Sequence, residues 1–377
     1  MEERIFNFSA GPSQMPLEVL EEAQKYLLCY PGAGASVLEM SHRSKSFQDI
    51  IDDAEARLRR LMNIPDDYAV MFLQGGATTQ FSMVCMNLAH QGETMAFIRS
   101  GQFSGKAMDE GARWGNAVCV ASSEDKKYTY IPEIGTMPQN NSELKVPVQP
   151  FPADAKFLHF TGNNTIFGTA FWKLPQVPEG SDARLVGDWS SSILGMDIDV
   201  SKHDLIYAGA QKNIGPAGVT VVIMKKELLE RELDPVVPIM LRYKVMADAG
   251  SMYNTPPCFA IYISQLMFKW VEAQGGVAEM EKRNREKASL LYDFIDNSKL
   301  FENKVRPEDR SIMNAVFTLP TQEQTADFLK LTVERGLINL KGHRSVGGCR
   351  ASIYNGMPIE GVKALIEVMK EFELAAK

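Results

Sequence analysis

Two kinds of apolar pattern alternate along the chain. Short runs rich in Val, Ile, Phe and Tyr, bounded by polar residues or glycine, predict buried strands at 68–73, 94–98, 157–160, 184–188, 204–208 and 219–224. Longer segments with apolar residues three or four positions apart predict helices at 46–62, 81–88, 104–114 and 259–273. Strands that alternate with helices in this way indicate an α/β fold, in which helices flank a mostly parallel sheet.

The segment after the turn-rich opening at 7–13 predicts an amphipathic helix. Pro16 begins this helix and Pro31-Gly32 ends it, because proline fits a first helical turn and a Pro-Gly pair breaks a helix. The residues expected on its apolar side are Leu17, Leu20, Ala23, Leu27 and Leu28.

Gly275-Gly276 is the natural boundary between two units of the chain. Beyond it, predicted helices at 277–296, 321–335 and 359–374 surround a predicted strand at 314–319, which indicates a smaller α+β unit. We therefore predict a large domain at 16–275 and a small C-terminal domain at 276–377. Residues 1–15 are expected to associate with the small domain.

Composition narrows the class of protein. The chain has 377 residues, 45% of them hydrophobic, and a formal net charge of −7, so large cores are possible and neither nucleic acid nor an anionic membrane is an expected partner. It has no apolar run of 18 residues and no secretory signal pattern at its start. The cysteines are odd in number and lack CxxC spacing, which favours reduced thiols and predicts neither disulfides nor a metal site. We expect a cytoplasmic protein.

Lys212 stands out because of the loop around it. The loop joins the predicted strands at 204–208 and 219–224 and consists mainly of Gly, Ala, Pro, Gln and Asn residues. Small neighbours allow a bulky group to approach the amine, and partial desolvation lowers the pKa of a lysine so that it can act as a nucleophile or form a Schiff base. A solvated loop lysine is the alternative interpretation.

Asp188 favours the interpretation of Lys212 as a reactive lysine. It ends an apolar strand 24 residues before Lys212, and in open α/β sheets ligands gather outside the carboxyl ends of strands. An aspartate that keeps a pyridine nitrogen protonated, together with a Schiff-base lysine, is what a pyridoxal-phosphate site requires. The pair by itself is a weak signal.

Further polar loops suggest anion binding. After the strand at 68–73, Gly76, Ala77 and Thr78 precede a helix, and free backbone N–H groups at such a turn can hold a phosphate. Cations lie in glycine-rich loops elsewhere, and each can contact a carboxylate or phosphate; they are His42, Arg43, His343, Arg344 and Arg350. Because Arg350 begins an alternating strand-like run, its direction is expected to be fixed. This many cations in an acidic protein suits a small, doubly anionic substrate.

Two long motifs carry a family resemblance. The segment Gly-Ala-Gln-Lys-Asn-Ile-Gly-Pro-Ala-Gly at 209–218 closely resembles the lysine segment of the phosphoserine aminotransferase family, a branch of the fold-type I pyridoxal-phosphate enzymes. The segment Lys-Gly-His-Arg-x-Val-Gly-Gly-x-Arg-Ala-Ser-Ile-Tyr-Asn at 341–355 resembles the C-terminal substrate motif of the same family. The resemblance runs from Phe6 to the final helix. It implies a large pyridoxal-phosphate domain with a seven-stranded type of sheet and transamination between L-glutamate and 3-phosphohydroxypyruvate.

The resemblance also implies roles for individual residues. Lys212 and Asp188 would be catalytic. The cofactor would be held by Gly76, Ala77, Thr78, Phe103, Thr165, Asp188, Gln211, Lys212, Asn254 and Thr255. In the family the Asn-Thr pair reaches the cofactor phosphate of the partner subunit, so a homodimer with shared active sites is implied. The substrate would contact Ser9, His42, Arg43, His343, Arg344 and Arg350.

The chain departs from the family pattern at two of these positions. Some members carry Arg where Thr78 stands, so any substrate contact from that arginine is missing here. Members often carry Trp where Phe103 stands, and phenylalanine keeps the aromatic face but loses the indole donor. Activity on 4-phosphohydroxythreonine, a step toward vitamin B6, is left open.

Two other classes of protein remain as alternatives. A cysteine desulfurase shares the scaffold but needs a nucleophilic cysteine on a mobile loop, and the nearest candidate, Cys349, stands at the start of a strand. A non-catalytic binding protein for phosphorylated metabolites would use the same cations without needing Lys212.

Overall fold

The computed structural model describes residues 4–138 and 140–375 of the chain. Within them the α-helices are α1 (Leu17–Lys25), α2 (Lys45–Met62), α3 (Gly76–Leu88), α4 (Gln102–Trp114), α5 (Tyr243–Asp248), α6 (Cys258–Ala273), α7 (Gly276–Asn297), α8 (Gln322–Glu334) and α9 (Ile359–Ala375). The strands are β1 (Phe6–Asn7), β2 (Tyr68–Leu73), β3 (Thr94–Arg99), β4 (Asn116–Ser122), β5 (Phe157–Thr161), β6 (Asn163–Asn164), β7 (Thr169–Ala170), β8 (Arg184–Asp188), β9 (Leu205–Gly209), β10 (Thr220–Lys225), β11 (Asn314–Phe317), β12 (Leu337–Ile338) and β13 (Cys349–Ser352).

A seven-stranded sheet in the order β2-β10-β9-β8-β5-β3-β4 forms the centre of the molecule. Strand β10 is antiparallel to both of its neighbours, and the other strands of the sheet pair in parallel. Most of these strands are buried along nearly their whole length, as expected for a sheet covered by helices on both faces. The predicted α/β class with a mostly parallel sheet is confirmed.

The parallel pairing brings the carboxyl ends of the central strands together. Thr161 at the end of β5 pairs with Asp188 at the end of β8, and Asp188 pairs in turn with Tyr207 of β9. The loop from β9 to β10 then reverses the chain, and Lys212 lies in this loop. Three central strands therefore deliver polar side chains to one edge of the sheet, where ligands of open α/β sheets bind.

The C-terminal part of the chain forms smaller sheets. Strands β11 and β13 pair antiparallel, with Val316 opposite Arg350, and β1 pairs in parallel with β12, with Phe6 opposite Leu337. The first described residues thus pack against the C-terminal part. One hydrophobic core cluster contains residues from both sides of Gly275, so the boundary predicted there stays a prediction. The ends of the predicted units, residues 1–3 and 376–377, lie outside the described residues.

A buried polar network links the short strand β6, which follows β5 of the central sheet, to the strand that carries Arg350. The Asn163 amide donates to Asn314 Oδ1 at 2.8 Å, and the Asn314 amide donates to Ser352 Oγ at 3.0 Å and to Tyr354 Oη at 3.2 Å. Buried amides without partners are costly, so this network favours one relative position of β6, β11 and β13.

Lys287 of α7 fixes the turn that follows β13. Its buried ammonium group donates to the carbonyl oxygens of Ile353, Tyr354 and Met357 at 2.8 to 2.9 Å. Burial in these surroundings lowers the pKa of Lys287 to about 7, because removal from water disfavours the charged form. The three bonds hold the end of the strand on which Arg350 lies.

Several local predictions were wrong. Helix α1 ends at Lys25, and Leu17, Leu20 and Leu28 are exposed while Val19 and Ala23 are buried, so the expected apolar face is not the packed one. Strand β4 has no counterpart among the predicted elements. Two helices also begin earlier than predicted, α3 at Gly76 and α4 at Gln102. Ser104 is therefore the third residue of α4, and its hydroxyl accepts from the N–H of Gly101, the residue before the helix.

Among the described helices, none is both long enough and apolar enough to cross a bilayer.

Substitution of Phe328 tests the core of the C-terminal part. Phe328 is fully buried, and its ring lies 5.0 Å from Phe301 and 5.4 Å from Phe372, measured between centroids. We expect Phe328→Ala to lower the free energy of unfolding by about 3–5 kcal/mol through lost burial and a residual cavity. Val333→Ala on the exposed side of the same helix should change it by less than about 0.5 kcal/mol. Urea denaturation measures both; equal effects would contradict the packing described here.

Candidate active site

The side chain of Lys212 lies at the carboxyl edge of the sheet, against residues from separate parts of the chain. Its Nζ donates to Thr165 Oγ1 at 3.1 Å and lies 5.0 Å from the centroid of the Phe103 ring. The Ser13 hydroxyl donates to the Lys212 carbonyl oxygen. A Cβ added at Gly11 would approach Lys212 Cγ to 3.2 Å, so the N-terminal segment passes close beside the lysine stem.

The surroundings of the Lys212 amine shift its pKa in both directions. Desolvation lowers the pKa of Lys212, and the nearby positive charge of Arg350 lowers it further. The charge of Asp188 acts in the opposite direction and raises the pKa, but the net shift is downward. A larger fraction of Lys212 is therefore neutral near pH 7 than in an exposed lysine, and a neutral amine is the form that attacks carbonyl carbon.

Asp188 is a buried carboxylate with its own hydrogen bonds. Its Oδ1 accepts from the Ser190 hydroxyl at 2.6 Å and from the Ser190 backbone N–H at 3.0 Å. Burial raises the pKa of Asp188, whereas the charge of Lys212 and these hydrogen bonds hold it down. A buried carboxylate near a partly desolvated amine is well suited to a ligand that carries a proton on a ring nitrogen.

The turn between β2 and α3 has the features of an anion site. Gly75 and Gly76 adopt positive φ of 92° and 67°, and no side chain caps the first turn of α3. Backbone N–H groups of that turn lack intrahelical partners and the helix dipole favours negative charge there. A Cβ added at Gly76 would meet nothing within 4 Å, so the space beside the turn is open. Ala77 is partly exposed and Thr78 exposed beside it.

Gln211, Asn254 and Thr255 line other parts of this region. The Gln211 amide lies over Gly209, where an added Cβ would come within 2.8 Å of its Oε1. The carbonyl oxygen of Thr255 accepts from Gln74 Nε2 at 2.7 Å, so the segment that contains Asn254 and Thr255 lies against the glycine turn of its own chain. Its predicted contact with a partner subunit stays a prediction.

A group of cations lies close to Lys212. Arg350 is partly buried, its Nε has no hydrogen-bond partner among the described residues, and burial lowers the pKa of its guanidinium group. Burial lowers the pKa of His343, and the charges of Arg350, Arg344 and Lys106 lower it further. Arg350, Arg344 and Lys106 thus hold three positive charges near His343, and an anion bound among them would relieve their mutual repulsion.

Ser9 lies in the same N-terminal segment as Gly11. Its hydroxyl accepts from the Gly11 N–H at 3.5 Å, and the next residue, Ala10, accepts at its carbonyl oxygen from the Tyr354 hydroxyl at 3.0 Å. The segment is thereby tied to the turn beyond Arg350. Ser9 is partly exposed.

His42 and Arg43 are the candidates that the fold does not join to the others. They lie on the loop before α2, with Arg43 exposed and its backbone N–H donating to Ser41 Oγ at 3.2 Å. Among the described residues, no side-chain hydrogen bond links either residue to the region around Lys212. Their predicted role as an anion clamp stays a prediction.

The sequence interpretation missed Lys106, Ser13 and Ser190. Lys106 projects from the first turns of α4, with its Nζ 5.8 Å from the centroid of the Phe103 ring, and its charge acts on His343. Its position three residues after Phe103, on the same side of a helix, was the available signal. Ser13 and Ser190 act through backbone and carboxylate contacts that no short pattern marks.

No group of three or more potential metal ligands occurs among residues 4–138 and 140–375.

Comparison with known proteins defines the class. Residues 5–365 match the family model described as aminotransferase class-V. The chain belongs to the class-V aminotransferase family, and its substrates are small molecules.

The relatives narrow the assignment further. Proteins named phosphoserine aminotransferase are 50% identical over 372 residues in Bacillus cereus and 49% identical over 377 residues in Listeria monocytogenes, covering 99% and 98% of those proteins and 99% and 100% of this chain. The solved phosphoserine aminotransferase from Bacillus circulans subsp. alkalophilus is 41% identical, covers 100% of both chains and superposes with a TM-score of 0.92. A pyridoxal-phosphate-bound phosphoserine aminotransferase from Trichomonas vaginalis is 38% identical, covers 97% of this chain and 100% of its own, and has a TM-score of 0.87.

Opposite shifts in the reactivity of Lys212 test the electrostatics of the site. Asp188→Asn removes the charge that raises the pKa of Lys212, so the amine of the cofactor-free protein should react faster with an amine reagent at pH 7. Arg350→Met removes a charge that lowers the same pKa, so the reaction should slow down. Mass spectrometry of labelled peptides measures both rates, with the exposed Lys282 as internal reference. Shifts in the same direction for the two variants would rule out this charge balance.

Proposed function

We propose that this chain is a pyridoxal-phosphate-dependent phosphoserine aminotransferase of serine biosynthesis. It transfers the amino group of L-glutamate to 3-phosphohydroxypyruvate, reversibly, and forms O-phospho-L-serine and 2-oxoglutarate. The observation that carries the proposal is the position of Lys212, whose desolvated amine lies between the buried carboxylate of Asp188 and the cations around Arg350. The full-length relatives of that name support the choice among aminotransferases.

The residues present fit the cofactor. Lys212 offers a desolvated amine, Asp188 a buried carboxylate, and Phe103 an aromatic face near the amine. The open space beside Gly76 at the uncapped start of α3 fits a phosphate group. Ala77, Thr78, Thr165 and Gln211 complete the proposed set of residues around it. When bound, the cofactor supplies an aldehyde for Schiff-base formation and an electron sink.

The protein's own residues supply proton transfer and orientation. Lys212 Nζ takes the proton from Cα of the bound amino acid and returns a proton later, for which its lowered pKa suits it. Thr165 Oγ1 accepts a hydrogen bond from Nζ and orients the amine. Asp188, held by Ser190, provides the negative charge opposite a protonated ring nitrogen.

Recognition of the substrate rests on the cations. Arg350 has a guanidinium group whose Nε lacks a protein partner, which suits bidentate binding of an α-carboxylate. Arg344 and Lys106 provide positive charge for the phosphate or for the side-chain carboxylate of glutamate, His343 provides a ring N–H donor, and Ser9 completes the proposed set. Both substrates of the proposed reaction carry two anionic groups. Arg350 can bind only one of them, so further basic residues are needed to bind the other.

A homodimer completes the proposed site. Exposed apolar side chains occur in two segments that a second subunit would bury: Leu28, Leu38, Val236, Ile239, Met240 and Tyr253. Leu38 precedes His42 by four residues, and Tyr253 directly precedes Asn254 and Thr255. We infer that four polar residues act on the site of the partner subunit: His42, Arg43, Asn254 and Thr255.

The scattered free cysteines support a cytoplasmic location.

The cysteine desulfurase alternative is disfavoured by Cys349. This residue is fully buried in β13, and burial raises the pKa of its thiol to about 12. The thiolate needed for attack on sulfur is therefore scarce at neutral pH, and a strand gives it no mobility.

Spectroscopy with different amino acids tests the proposed function. The purified protein should acquire the visible absorption band of a bound cofactor when pyridoxal phosphate is added, and O-phosphoserine should remove that band. Serine and alanine should leave it nearly unchanged, because they lack the second anion. Lys212→Ala should abolish turnover. Equal bleaching by all three amino acids would contradict the substrate, and absence of the band would contradict the enzyme.

The variant Lys106→Met tests whether Lys106 contributes to substrate binding. We expect KM for O-phosphoserine to rise about three- to tenfold, since one exposed charged contact to the substrate is lost, while kcat changes less. Arg113→Met near the end of the same helix is the matched control, because Arg113 is exposed and pairs with Glu110. Steady-state kinetics measure both. An unchanged KM in Lys106→Met would exclude Lys106 from the substrate site.

A further inference from the structure

A buried histidine–tyrosine pair lies behind Asp188. His159 belongs to β5 and Tyr207 to β9, with β8 between them, and both side chains are at most 1% exposed. His159 Nε2 lies 2.8 Å from Tyr207 Oη, within hydrogen-bond distance. Neither residue has a role in the function proposed above.

The sheet register directs this pair toward Asp188. Tyr207 is the direct partner of Asp188 across the parallel pair β8–β9, so the two side chains project from the same face of the sheet. His159 is opposite Val186, two residues before Asp188, and therefore projects from that face as well. Tyr207 therefore lies beside Asp188; burial raises the pKa of both groups, and the nearby Tyr207 hydroxyl opposes that rise at Asp188.

The surroundings keep the pair neutral and dry. The rings of Phe97 and Phe81 lie 5.6 Å from His159 and 6.3 Å from Tyr207, respectively, between centroids. Burial lowers the pKa of His159 to about 3, so its imidazole carries one proton at neutral pH. A neutral ring has one N–H donor and one bare nitrogen, and the unpartnered Nδ1 shows that only Nε2 makes a hydrogen bond.

Two proton arrangements satisfy the bond between His159 and Tyr207. If the tyrosine hydroxyl donated to Nε2, Asp188 would face only the lone pairs of the phenol oxygen, and the proton on Nδ1 would have no acceptor. If Nε2–H donates to the phenol oxygen, the hydroxyl proton is free to point at Asp188, and only a bare Nδ1 remains unpaired. The second arrangement avoids repulsion at a buried carboxylate and leaves no buried donor unused.

We propose that His159 and Tyr207 form a directed relay, Nε2–H of His159 to Tyr207 Oη and Tyr207 O–H to Asp188, that keeps Asp188 ionised for a cationic ring nitrogen. The relay rests on the proposed cofactor site, but its proton arrangement is a property of the protein alone. Tyr207 and His159 are positioning residues, since they act on the cofactor through Asp188. Without the relay, Asp188 would keep the charge of Lys212 and the Ser190 bonds but would lose one of the contacts that favour its ionised form.

The first test reads the tautomer in the cofactor-free, unmutated protein. With ¹⁵N-labelled histidine, the five histidines give separate pairs of ring nitrogen signals, and His159 is assigned by their comparison with the His159→Gln variant. We expect a neutral ring with the proton on Nε2 across pH 6–8. A proton on Nδ1, or a charged ring in this range, overturns the relay whatever the function of the protein.

The second test measures the dissociation constant of pyridoxal phosphate by fluorescence titration. We expect Tyr207→Phe to raise it about tenfold or more, the effect of losing one hydrogen bond to a charged group. Tyr243→Phe is the matched control. Tyr243 is equally buried in the same core cluster, and its hydroxyl donates to Gln80 Oε1 at 2.7 Å, away from Asp188. This variant should bind the cofactor within about twofold of the unmutated protein. Equal losses in both variants, or none in Tyr207→Phe, overturn the relay.

A double variant distinguishes an effect of the relay on cofactor binding from a general loss of folding. His159→Gln should weaken cofactor binding when Tyr207 is present and have little further effect in the Tyr207→Phe background, because His159 acts through the tyrosine. Thermal melting of the cofactor-free variants reports folding separately. Additive losses in affinity overturn the relay. If the unmutated protein itself fails to bind pyridoxal phosphate, the proposed function is wrong, whereas the tautomer test still decides the proton arrangement.

Discussion

The candidate site depends on the opposition of two charges, the buried Asp188 and the partly exposed Lys212. Burial alone favours the neutral form of each, and the charge of each favours the ionised form of the other. Neither side chain could be removed without leaving an uncompensated group in a desolvated place. The parallel sheet makes the arrangement possible, because the end of β8 supplies the carboxylate and the loop after the neighbouring β9 supplies the amine. Ser190 and Thr165 then hold the carboxylate and the amine in position.

The substrate-binding cations must keep a fixed distance from this pair. The network from Asn163 through Asn314 to Ser352 holds β13 and β11 against β6, and the three carbonyl contacts of Lys287 hold the turn after β13 against α7. The N-terminal segment joins the same assembly through Ser13 at the Lys212 carbonyl and Ala10 at Tyr354. Segments that are far apart in the sequence thus lie around the amine of Lys212. The positive charge of Arg350 reaches that amine and contributes to its lowered pKa.

Much of the fold was predictable because burial on both faces of a sheet leaves continuous apolar runs. The strands that end at Leu73 and Asp188 were predicted with the observed bounds. Strand β4 was missed because its core is formed by Ala, Val and Cys in a short run after a helix. The start of α3 was placed too late, since Gly75 and Gly76 resemble helix breakers but here adopt positive φ at the N-terminus of the helix. For α1, the exposed leucines show that apolar spacing does not tell a packed face from one left free for another contact.

The sequence by itself determined the elements, the reactive lysine loop, the aspartate at a strand end and the arginine-bearing strand, because each of these is encoded within a few consecutive residues. Only the tertiary structure decided what surrounds them. It brought Lys106 near His343, placed Tyr207 opposite Asp188, and left His42 and Arg43 on a loop apart from the lysine. Desolvation, charge coupling and strand register arise from residues distant in the chain. For that reason the pKa of Lys212 and the hydrogen bonds behind Asp188 could not be inferred from local pattern.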